Sequence, residues 1–99
     1  MKVNVFKALG HETRLKIVEI LATEGPKCVC ELVERLPYDQ STISRHLGLM
    51  KASGILSSSK DGLNVTYEIK MPCVYQFIRC LDAVFEGKCA ESCQTMPKE

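Results

Sequence analysis

No apolar run in this 99-residue sequence approaches the roughly 18 to 20 residues needed to cross a bilayer. The amino-terminal stretch Met1-Lys2-Val3-Asn4-Val5-Phe6-Lys7 lacks the apolar core and small-residue cleavage site of a secretory signal. A cytoplasmic protein with no membrane contact is expected. Also missing is an excess of charge, since 13 basic and 12 acidic residues leave a formal net charge of +1. Bulk electrostatics therefore offers no argument for a nucleic-acid partner. There is no repeat, low-complexity tract or linker, so residues 1–99 read as a single domain, with 85–99 a candidate flexible tail. A hydrophobic fraction of 45% supports a packed core, but in so short a chain a small one, to which a dimer interface would add.

Cysteine, in contrast, is plentiful: Cys28, Cys30, Cys73, Cys80, Cys89 and Cys93. In a reducing compartment six thiols are not expected to form a standing disulfide framework. Their spacing is not the doubled C-x-x-C of a structural zinc module. It also lacks the strand-then-helix C-x-x-C setting of a thiol oxidoreductase, so no enzymatic activity and no organic cofactor are expected. Ion ligation or thiol redox sensing remains.

Hydrophobic periodicity divides the chain into helices with one change of rhythm. Residues 3–9 form a short helix ending near Gly10. In residues 11–23, Leu15, Ile17, Val18, Ile20 and Leu21 describe a buried helix that Glu24-Gly25-Pro26 stops. A third helix is expected over 28–36, from Val29, Leu32, Val33 and Leu36, until Pro37 breaks it. Asp39 then offers a capping carboxylate to a fourth helix from Gln40 to about Ser53, with Ile43, Leu47 and Met50 inward and Gly54 closing it. Residues 55–69 switch to period two around Asp61-Gly62, a hairpin signal. Pro72 opens a last helix whose stripe of Cys73, Phe77, Cys80 and Val84 is too apolar to be left without a partner.

Two helices across a short turn, followed by a hairpin, describe a mainly α winged helix-turn-helix. Its fourth helix would enter a major groove while the wing follows the backbone. Gln40, Ser41, Thr42, Ser44, Arg45 and His46 on that helix, with Lys60 and Asn64 on the wing, are the candidate contacts to double-stranded operator DNA. Arg45 is the one suited to bidentate recognition of guanine.

The stretches Ala8-Leu9-Gly10-His11-Glu12-Thr13-Arg14-Leu15-Lys16-Ile17, Cys28-Val29-Cys30-Glu31-Leu32 and Gln40-Ser41-Thr42-Ile43-Ser44-Arg45-His46-Leu47, with the wing from Gly62 to Ile69, resemble the ArsR/SmtB family of metal-responsive repressors. The resemblance implies a homodimer formed by the first and last helices, operator binding without ion and release when the ion binds. Three positions depart from it: His11-Glu12 stand where an acidic or amide residue and proline are usual, Leu63-Asn64 replace the usual wing arginine, and Val33 occupies the place of a third cysteine. The zinc-type site of Asp and His on the last helix is absent, because that helix has no histidine.

Cys28 and Cys30 are then the first ligands for As(III) or a related thiophilic ion, Sb(III), Cd(II) or Pb(II). Cys89 and Cys93 are the preferred source of the third, while Cys73 and Cys80 are read as packing residues in the dimer. Two positions apart in an undistorted helix, the sulfurs of Cys28 and Cys30 diverge by about 200°. Gripping one ion would then force open the first turn of the third helix, and that strain would release DNA. The alternative within the same architecture is a redox or persulfide sensor, with Cys28 or Cys30 joined to another cysteine.

Overall fold

The computed structural model describes residues 2–87. Its elements are α1 (Lys2–Leu9), α2 (Glu12–Glu24), β1 (Lys27–Cys28), α3 (Val29–Arg35), α4 (Gln40–Ala52), β2 (Leu56–Asp61), β3 (Asn64–Ile69) and α5 (Pro72–Phe85). This is the winged helix-turn-helix arrangement.

Each helix boundary has a chemical cause. His11 caps α2, its Nδ1 accepting the Thr13 backbone N–H at 3.1 Å. At the other end, Gly25 takes φ +91° and returns its N–H to the Leu21 carbonyl. Asp39 caps α4 by accepting the Thr42 N–H at 2.9 Å. That helix ends in a paired reversal, Gly54 N–H to Lys51 and Ile55 N–H to Met50, which needs the left-handed φ of +92° that Gly54 supplies.

The core is drawn from every layer: Ile17, Val18 and Leu21 of α2, Leu32 of α3, Ile43, Leu47 and Met50 of α4, and Val74 and Ile78 of α5. Each fully buried aliphatic side chain contributes about 1.5–3 kcal/mol, so this cluster fixes how α3 and α4 sit on α2. Leu15, expected inside, is 36% exposed, and Thr13 takes the inward place at 1%.

Residues 56–69 form the expected hairpin, closed by Gly62-Leu63, with Asp61 opposite Asn64 and Gly62 at φ +66°. The sheet nevertheless has three strands, in the order β1-β3-β2. Lys27 and Cys28 pair antiparallel with Tyr67 and Thr66, so Cys28 belongs to the sheet rather than to α3.

One side of the fold is left apolar and open. Phe77, Leu81, Val84 and Phe85 of α5 and Val3 and Phe6 of α1 are all exposed. The two helices meet there through Phe6 and Phe77, whose rings stand edge to face with centroids 6.4 Å apart. None of the helices among the described residues is long and apolar enough to cross a membrane.

Candidate functional site

The outward face of α4 is built by its cap and its core stripe together. With Ile43, Leu47 and Met50 fixed inside, the helical repeat turns Gln40, Ser41, Ser44 and Arg45 to solvent, where they line one shallow depression. Thr42 is half-buried beside the cap. Donors from Thr42 and then Ser41 hold the Asp39 carboxyl below its ordinary value, so the cap is ionised at neutral pH. Lys60 and Asn64 are exposed near the tip of the wing, and Leu63 at the tip is 98% exposed.

His46, a candidate for either the DNA face or packing, takes the packing position and not the outward one. It is 7% exposed and lies between α4 and α2, its Nδ1 accepting the Arg14 Nε–H at 3.1 Å and its ring 4.6 Å from that of His11. Burial, followed by the charges of His11, Arg14 and Arg45, lowers its pKa and keeps the ring neutral. Position 46 is three residues from Ile43 and one from Leu47, so it borders the inward stripe. It therefore braces α2 against α4 instead of facing a groove. Its partner Arg14 has no place in the site expected from sequence. Its guanidinium also donates to the Ala8 and Lys7 carbonyls at 3.3 and 3.4 Å, tying α1, α2 and α4 at one point. The signal was available in the Thr13-Arg14 pair of the α2 motif.

The thiol pair requires a second correction. Cys28 is not in the first turn of α3 but precedes it as an extended N-cap, φ −87° and ψ 170°. That chain reversal cancels the divergence expected of a continuous helix and brings the Cys28 and Cys30 sulfurs to 2.8 Å. Sulfurs on a common ion stand roughly 3–4 Å apart, given metal–sulfur bonds of about 2.3 Å. The pair therefore fits an ion with no turn of helix to open. Glu31, three residues on, accepts the Cys28 backbone N–H at 3.0 Å, which lowers its own pKa and pins the cap. Contact with Cys28, followed by burial, raises the Cys30 thiol above its ordinary value, so Cys30 stays protonated at neutral pH.

Among the described residues no three His, Cys, Asp or Glu side chains converge to hold an ion. Cys73 is exposed and Cys80 half-buried, both on α5. Cys89 and Cys93, expected to supply the third ligand, lie outside the described residues.

Residues 11–58 match the family of bacterial regulatory proteins named after arsR. An uncharacterized HTH-type transcriptional regulator of Methanocaldococcus jannaschii is 40% identical over 78 residues, covering 79% of this chain and 88% of that protein. The arsenical resistance operon repressor of Escherichia coli K12 is 44% identical over 69 residues, covering 70% of this chain and 59% of that protein's length. The crystal structure of AntR, an antimony-specific transcriptional repressor, superposes with a TM-score of 0.76 at 29% identity over 86% of this chain and 77% of that one.

Proposed function

Since this chain belongs to the arsR family of bacterial regulatory proteins, we propose that it is a repressor that binds operator DNA as a homodimer and leaves it when a thiophilic ion, As(III) foremost, is held by Cys28 and Cys30. The observation that carries this is the 2.8 Å approach of the two sulfurs at a residue shared by the sheet and the cap of α3. An ion there supplies strong bonds to sulfur. The chain's own residues supply the rest.

Gln40, Ser41, Ser44 and Arg45 enter the major groove, with Thr42 at its edge, and Lys60 and Asn64 follow the backbone from the wing. His46 supports α4 from behind. The dimer forms through α1 and α5, where Phe6, Phe77, Leu81, Val84 and Phe85 would leave solvent together. The third ligand is assigned to Cys89 or Cys93.

Release follows from where Cys28 sits. Drawing a third ligand onto an ion held by the pair would displace the Cys28 backbone, which is bonded to Glu31 of α3 and paired with Thr66 of β3. Both α4, through α3, and the wing, through β3, feel that one displacement. A coupling of about 3–5 kcal/mol between ion and DNA would lower operator affinity by about 150-fold to a few thousandfold.

The test is Cys28→Ser and Cys30→Ser, each titrated with As(III) while bound to operator. Serine nearly preserves shape but is a poor ligand for soft ions. Each variant should bind operator with wild-type affinity and fail to release it. Release of both at the wild-type ion concentration would place the sensor elsewhere.

A further inference from the structure

A second site lies between the start of α2 and α4, in a cleft of about 420 Å³ walled by His11, Tyr38, Arg45 and His46. The hydrogen bonds of the two histidines define what it can hold. His11 Nδ1 accepts the Thr13 N–H and His46 Nδ1 accepts the Arg14 Nε–H, both at 3.1 Å. A neutral imidazole that accepts at Nδ1 carries its proton at Nε2. Neither Nε2–H has an acceptor among the described residues. Such nitrogens have no lone pair for a metal ion; they need an acceptor.

The surroundings select an anionic one. Arg45 makes no ion pair within the described residues, the Tyr38 phenol is partly exposed, and no carboxylate lines the cleft. Glu12, nearby in the first turn of α2, is engaged with Lys16 at 3.8 Å. Thr13, 1% exposed and also lining the cleft, has a hydroxyl with no partner. Arg45 borders both this cleft and the depression formed by Gln40, Ser41 and Ser44. When α4 occupies a major groove, the phosphates of the groove wall pass beside it. We infer that the cleft seats one backbone phosphate flanking the operator's major groove, with the Nε2–H of His11, the Tyr38 hydroxyl and the Arg45 guanidinium as donors. This rests on the DNA-binding reading and adds to it an anchor that does not depend on base sequence.

The test uses the full chain and fluorescence anisotropy at fixed salt, on operator and on random-sequence duplex. His11→Ser keeps a capping oxygen and removes the imidazole donor, and Tyr38→Phe removes only a hydroxyl. Each should weaken both duplexes by the same factor, about three- to tenfold, because a phosphate contact carries no sequence information. Neutral methylphosphonates, placed one at a time along the operator, give a readout that protein stability does not move. At the seated phosphate the wild type should lose more affinity than His11→Ser, which has already lost one of the three donors, whereas at every other phosphate the two should lose equally; Tyr38→Phe serves in the same comparison if His11→Ser does not fold. Wild-type affinity in both variants overturns the phosphate seat and leaves the DNA reading standing, whereas a wild type that binds neither duplex overturns both. A loss confined to operator would assign the cleft to base reading, against the inference. A Thr13 amide signal moved by millimolar inorganic phosphate, with duplex affinity unchanged in the variants, would make it a site for the free anion, also against it.

Discussion

Replacing Phe77 by alanine measures how much the open face of α1 and α5 contributes to assembly. The ring is 48% exposed in the single chain, which for a side chain of about 200 Å² leaves about 100 Å² to be covered by a second copy. At about 25 cal/mol per Å² that cover is worth about 2.5 kcal/mol. Alanine retains roughly a third of it, so truncation costs about 1.6 kcal/mol per chain and, with two copies in a symmetric interface, about 3 kcal/mol. The dimer dissociation constant should rise by about two decades. Sedimentation equilibrium over a wide range of protein concentration reads this directly, and operator binding should weaken with the loss of dimer. Phe77 also meets Phe6 within the chain, so thermal melts at high concentration separate monomer stability from assembly. Leu63→Ala, at the wing tip, is the control for an exposed apolar residue away from the face. A dimer constant within threefold of wild type would show that this face is not the interface.

Three further outcomes are expected. Arg45→Ala should weaken operator binding by about tenfold or more, with the melting curve unchanged, because Arg45 is exposed and makes no ion pair within the described chain; equal affinities in a gel-shift titration would remove it from the interface. Uptake of As(III) as its neutral hydroxide sends each thiol proton out as water, so its affinity should be flat between pH 6 and 8. Cd(II) must instead displace a proton per thiol and should tighten by about tenfold per unit per proton, over a range that the raised Cys30 thiol extends upward; parallel slopes for the two ions would contradict the dithiol assignment. For stability, His46 has a lowered pKa, so the unfolded chain takes up a proton below about pH 6.5 that the folded chain refuses, and the melting temperature should fall through that range. His46→Asn keeps an acceptor for Arg14 and should flatten that slope, measured by thermal denaturation from pH 8 to 5; an unchanged slope would move the cause elsewhere.

Much of the fold was legible because local rules agreed with one another. The Asp39 cap, the Ile43, Leu47 and Met50 stripe and the Gly54 stop mark α4 within a residue of its observed ends. The hairpin was equally plain in the alternation around Gly62. What escaped was structure too short to show a period. Two residues, Lys27 and Cys28, cannot display alternation, and their strand exists only because β3 lies beside them. That single omission moved Cys28 from a helix into an extended cap and reversed the relation of the two sulfurs. For His46, which the sequence left open between the DNA face and packing, the reason is different. A polar residue at the margin of an apolar stripe can face either way, and its partner Arg14 lies 32 positions earlier, beyond the reach of any local pattern.

The open apolar face is assembled from α1 and α5, which lie at opposite ends of the described chain. During synthesis α1 therefore leaves the ribosome with Phe6 uncovered and waits for the rest of the domain to follow before Phe77 reaches it. The surface proposed for pairing exists only on chains that have been translated through α5. A chain that stops before α5 would carry the groove-facing helix with only the α1 half of that surface.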